Sequence, residues 1–352
     1  MNSETYKVLM KNTTEYYMTD YSLQHIIKDL TDGEIATYKE NNKNGSILIA
    51  TSESKNERVN KCMDNNLDTF YIIEKMFINK SYRYAIYYNC NNFNINNVDS
   101  YISLEDFKSG KINNIKDFTQ PIFVENDEYI AIKFLKTINP FINKLDETKD
   151  VIYNTLWIYH KKLKILEHRF DMLGFKSDDN FYETTFKPQL SRICKDFNCD
   201  ISEFRTSSTI THIVENKKDE VQEIAQYMGL KQNSLAKLKV GETLIMPFIG
   251  DLEILMEQNR GLFDKSDDTK QIYKLLRKYV VDIKKNARYK SRLLQWIKEK
   301  KFSPCVNILF SYRDKNYDLF NFQEPKKNNM EMMNYVIRYI WKVKGNLENS
   351  TD

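Results

Sequence analysis

Apolar residues in the first half of the chain come in short runs of β-branched and aromatic residues, broken by turn signals. EIATYKE and SILIATS flank Asn44-Gly45, a dipeptide that tolerates the positive φ of a tight hairpin. YRYAIYYNC (82–90) has the composition of a strand, and PIFVE and EYIAIKF flank Asn126-Asp127 as a second hairpin would. Between them, residues 91–117 are rich in Asn, Ser and Lys and read as a long loop. Residues 1–150 are therefore expected to alternate strands with short helices. VIYNTLWIYH and LKILEHRFDML meet at Lys161-Lys162. Apolar residues on both of their faces predict a central strand pair.

Further on, the rhythm turns helical. A helix is expected from about Phe181 to Phe197, followed by a compact βααβ-like stretch over 207–248. Two helices are expected at 251–263 and 268–300, then a hairpin of CVNILFSYR and YDLFNFQ, and a last helix from about 329 to 343. The fold class is α+β: a sheet-rich N-terminal half with several β-hairpins, and a helical, basic C-terminal part closed by a hairpin and a helix. A chain of 352 residues suits two domains. The charged run NKLDETKD places their boundary so that 1–148 and 149–352 are separate.

Composition narrows the function by exclusion. Nine glycines are few for loops that wrap phosphates, and neither GxxxxGK[ST] nor GxGxxG occurs. HExxH and GxSxG are absent too. Cys194 and Cys199 are not followed by a second pair, so two buried thiols are expected there and no metal. No catalytic residue and no cofactor is assigned. The odd, scattered cysteines suit a reducing compartment, and no stretch approaches the ~20 apolar residues of a spanning helix. A cytoplasmic location and no membrane partner are expected.

Charge changes the picture more. The net +4 conceals a strongly uneven distribution. Residues 270–301 carry twelve Lys or Arg against Asp282 and Glu299, the last 83 residues sum to +11, and residues 1–269 sum to −7. On one helix, Lys274, Arg277, Lys278, Lys284, Lys285, Arg288 and Arg292 would recur mostly at three- and four-residue spacing as a cationic stripe. Ile272, Leu276, Tyr279, Ile283 and Ala287 would form the opposing apolar stripe that docks on a core. A row of cations suits a phosphate backbone, because each neutralised phosphate releases counterions.

VQEIAQYMGLKQNSLAKL (221–238) resembles a helix-turn-helix unit. Ala225 would stand where two helices cross, Gly229 would make the turn, and Leu235 and Leu238 would seat the second helix. That resemblance implies base or phosphate contacts from Lys231, Gln232 and Asn233. Widened to 211–247, the same stretch looks like a lysin-motif βααβ module, which implies binding of N-acetylglucosamine polymers. SILIATSESK, with Glu53 and Lys55 after a strand and Asp29 or Asp32 upstream, resembles the acid-x-lysine strand of restriction-endonuclease-like folds. It implies a divalent cation beside an activated water. The expected function is DNA or RNA binding, mainly through the phosphate backbone. Docking of an acidic protein partner by a non-enzymatic subunit, and a metal-dependent nuclease, are the alternatives.

Overall fold

The computed structural model describes all residues except 41–44, 96–97, 99, 109, 144, 175–179, 230–234, 240–246, 287, 302, 324–329 and 350–352. The chain divides into two compact units: residues 1–204 with 325–334, and residues 205–324 with 335–352.

The first unit opens with helices α1 (Ser3–Tyr16), α2 (Asp20–Asp32), α3 (Lys55–Asn65) and α4 (Asp68–Asn79). Their signals are local. Thr19 caps α2 through the Ser22 amide, and its apolar face is Leu23, Ile26, Ile27 and Leu30 at helical spacing, all buried. Ser54 and Glu57 form a capping box on α3. The hairpin expected around Asn44-Gly45 is instead a parallel pair, β1 (Ala36–Thr37) with β2 (Ile47–Leu48).

An antiparallel sheet follows. It contains β3 (Tyr84–Asn91), β5 (Ile122–Glu125), β6 (Tyr129–Ile138), β9 (Val151–His160), β10 (Ile165–Phe170) and β11 (Asp200–Glu203). Between these run the short β4 (Ile102–Ser103), which joins β5 in parallel, and the pair β7 (Phe141–Ile142) and β8 (Glu147–Thr148). Pairing runs β11 to β3, then β10, β9, β6 and β5. The hairpin expected at Asn126-Asp127 is present, with the Asn126 side chain accepting from the amides of Glu128 and Tyr129. β9 and β10 form the expected central pair and are almost wholly buried. β6 and β9, on either side of residues 148–149, pair along their whole length. Helix α5 (Phe181–Asp196) covers one face, where His168 lies between Trp157, stacked at 4.0 Å, and Phe186.

The other face holds charge. Glu167 and Arg169 alternate along β10, and Arg169 Nη2 donates to Glu167 Oε2 at 2.7 Å and to Asn334 Oδ1 at 2.6 Å. His160 Nε2 meets the same Glu167 oxygen at 2.7 Å. On that face too, Lys133 is ion-paired with Glu74 of α4 and donates to Asn154 Oδ1 at 2.9 Å, while the Tyr6 hydroxyl donates to Glu74 at 2.5 Å. All these charges are buried.

The second unit contains α6 (Ser207–Asn216), β12 (Val221–Gly229), β13 (Leu235–Lys239), α7 (Pro247–Gln258), α8 (Arg260–Phe263) and α9 (Asp267–Asn286). β14 (Arg288–Trp296), β15 (Cys305–Leu309), β16 (Leu319–Phe322) and α10 (Met330–Asn349) complete it, the first residues of α10 belonging with the first unit. Its antiparallel sheet runs β13, β12, β14, β15, β16. The expected C-terminal hairpin and helix are both present. The α+β class holds. Among the described residues no helix is long and apolar enough to cross a membrane.

Burial pushes the Glu167 carboxyl up, but Arg169 and the His160 hydrogen bond outweigh it and hold it at about 2. Its stabilisation is therefore present above an unfolded value near 4.5 and is lost as pH falls toward 2. Burial drives the His168 imidazole well below its ordinary 6.5, so the unfolded chain takes up a proton there first. Stability is expected to fall from about pH 6.5 downward through His168 and from about pH 4.5 through Glu167. Thermal unfolding across pH should show His168→Phe flattening only the upper limb; an unchanged upper limb would remove His168 as its cause. Arg169→Met should cost about 3–5 kcal/mol in urea denaturation, because it leaves Glu167 buried without its cation.

Candidate functional site

Helices α7 and α8 both pack on α9, and Tyr273 joins them. Its hydroxyl donates to Glu257 Oε1 at 2.6 Å, and Arg260 lies over its ring at 4.2 Å while donating to its hydroxyl oxygen at 2.6 Å. Phe263 packs on the same ring at 5.4 Å. Ser266 and Thr269 bond reciprocally at the start of α9, each side chain accepting from the other's amide.

Helix α9 presents three faces. Tyr273 and Val280 are buried. Lys270, Lys274, Arg277 and Lys278 are exposed on a second side. The third is apolar and uncovered: Ile272, Leu275 and Tyr279 are 50%, 61% and 56% exposed. Ile254 and Leu255 on α7 and Leu262 on α8 are exposed as well. Ile272 and Tyr279, expected in the stripe that docks on a core, are thus exposed. Instead the packed side runs through Tyr273 and Val280, and Leu275 joins the exposed stripe.

The expected cationic residues divide. Lys274, Arg277 and Lys278 stand free on α9 and make no ion pair among the described residues. Lys284 and Lys285 lie in its last turns. Arg288 and Arg292 do not belong to the helix. It ends at Asn286, and β14 begins at Arg288, whose pairing partner is Gly229. Arg292 is 3% exposed, and its Nε lies 3.4 Å from Glu223 on β12. Burial raises the Glu223 carboxyl and Arg292 counteracts it. A phosphate cannot reach Arg292 there.

The helix-turn-helix expected over 221–238 is replaced by strands β12 and β13, with Ala225 opposite Lys239. Lys231, Gln232 and Asn233 lie outside the described residues. The lysin-motif βααβ order fails as well, because the stretch from 211 opens inside helix α6 where a strand would stand, and strand β12 follows where the first helix would. Edge-to-edge pairing with β14 decides the matter against local helical spacing.

Other candidate chemistry is not assembled. Glu53 accepts from Lys61 Nζ and from the Ala50 amide, both at 2.8 Å, and the Lys61 hydrogen bond is the main cause of its lowered pKa. Lys55 pairs with Asp20 at 3.3 Å. Among the described residues no three His, Cys, Asp or Glu side chains could hold a metal. Cys194 and Cys199 are free thiols; the Cys199 hydrogen bond, then burial, raises Cys194 and leaves it a poor nucleophile. Asp171 binds Lys80 and the Arg83 amide.

No family model matches this chain, and no curated protein matches it either.

Arg292→Glu should face a second carboxylate onto Glu223 and destabilise the second unit by about 3–5 kcal/mol. Lys278→Glu, exposed and unpaired, should change stability by less than about 1 kcal/mol. Equal urea midpoints for the two variants would refute the burial of Arg292.

Proposed function

We propose that the chain is a docking subunit whose α7–α9 helices receive an amphipathic, acidic segment of a partner protein. The observation that carries this reading is the exposed row Ile272, Leu275, Tyr279, spaced three and four apart along α9 and bordered by Lys274 and Lys278. A solvated helix face needs no such row. Burying each of those side chains against a partner is worth about 1.5–3 kcal/mol before association costs. An apolar ridge flanked by carboxylates complements it on both counts, hydrophobic contact supplying affinity and charge setting orientation and on-rate. Five free cysteines suit a cytoplasmic setting for that partner.

A second reading rests on the cations alone. Lys274, Arg277 and Lys278, continued by Lys284 and Lys285, suit the phosphate backbone of DNA or RNA. It leaves the apolar row unused, which is why it ranks second.

Helical peptides selected by display against the full chain separate the two. The docking reading expects enriched sequences with apolar residues at i, i+3, i+4 and i+7 flanked by Asp or Glu. Leu275→Asp should weaken them at least tenfold. Enriched peptides without that pattern, or indifferent to Leu275→Asp, would set docking aside. In parallel, polarisation with labelled single- and double-stranded DNA and RNA over a salt series tests the second reading. Log-linear weakening with salt, abolished by reversing Lys274, Arg277 and Lys278 but not by Leu275→Asp, would place phosphate tracking first.

A further inference from the structure

A cavity of about 340 Å³ opens in the second unit among the residues after α6, those after β14, and the middle of α10. That volume lies at the lower end of the ~300–1,000 Å³ typical of small-molecule sites. Two of its lining residues are Tyr335 and Tyr339, one helical turn apart on α10, with ring centroids 6.3 Å apart and planes at 35°. The buried Trp296 of β14 meets Tyr339 edge-on at 6.1 Å and 89°. Val336, Ile337 and Ile340 of the same helix are fully buried. The tyrosines therefore stand on a rigid base.

Around the rings the charge is arranged by partner. Lys298 lies 3.5 Å from Glu220. Lys217 and Lys342 also line the cavity, and neither makes an ion pair among the described residues. Burial and the nearby Glu220 raise the Tyr339 phenol, which keeps its proton and remains a donor. Two unpaired ammonium groups beside two fixed aromatic rings match a ligand that is anionic at one end and a flat π system at the other.

We propose that this cavity binds a nucleoside monophosphate, free or as the terminal nucleotide of a single strand. The base stacks on Tyr335 and Tyr339, an interaction worth about 1–3 kcal/mol per base. The phosphate sits between Lys217 and Lys342, where a point charge on a flexible stem suits it. Glu220 and Glu299 accept hydrogen bonds from exocyclic amine or ribose hydroxyl donors. The site is independent of the α7–α9 docking face, uses none of its residues, and stands or falls separately.

Isothermal titration of the full chain is the test, with AMP, adenosine, inorganic phosphate, and a single-stranded tetranucleotide with and without a 5′-phosphate. AMP should bind saturably at one site. Adenosine and phosphate should each bind at least tenfold more weakly. A Lys217→Gln, Lys342→Gln double variant should lose at least tenfold for AMP and be unchanged for adenosine; both side chains reach solvent, so the fold is not at stake. A 5′-phosphorylated strand tighter than AMP identifies a strand end, whereas AMP equal to or tighter than the strand identifies the free nucleotide. No saturable AMP binding, phosphate binding as tightly as AMP, or an unaffected double variant overturns the proposal.

Discussion

Glu167 and Arg169 share the inward face of β10, and the first unit is organised around the need to keep both paired. Neither reaches water, so each buried charge must find its counterpart inside the protein. Arg169 finds Glu167 on its own strand and Asn334 at the start of α10; Glu167 also takes His160 from the neighbouring strand. Lys133 and Glu74 repeat the arrangement between β6 and α4. A one-residue slip of β10 would turn Leu166 and His168 toward these partners and Glu167 toward Trp157. The ionic layer thus bears on register as well as on stability.

The second unit applies the same rule to opposite effect. Its positive charge, counted along the chain, suggested one long cationic surface. Folding divides it: Arg292 is drawn into the sheet against Glu223, while Lys274, Arg277 and Lys278 remain on the outer side of α9. What distinguishes α9 is the apolar row beside those cations, since a helix anchored through Tyr273 and Val280 has no internal need for exposed Ile272, Leu275 and Tyr279. The docking reading uses both features. Tyr335 and Tyr339 are the complementary case, two aromatic residues on a basic segment that are held as a surface instead of being absorbed into the core.

The sequence by itself determined the α+β class, the β5–β6 and β9–β10 hairpins, the extent of α5, and the closing hairpin and helix. Each has a signal confined to a few neighbours: Asn126 bonding its own turn, β-branched runs apolar on both faces, or a helical period. The exposed Lys274, Arg277 and Lys278 were also legible, because helical spacing placed them on one side. Only tertiary structure decided the rest. Residues 221–229 carry helical spacing, but a bulge at Ile224 breaks their strand alternation, so the strand shows only once β14 lies alongside. The cationic spacing likewise runs on unbroken past Asn286, yet the chain turns into β14 there, because Leu294 and Trp296 bury themselves as sheet residues on the same side as Arg292. Local spacing states which residues can share a face; which face is covered depends on a partner strand or helix distant in sequence.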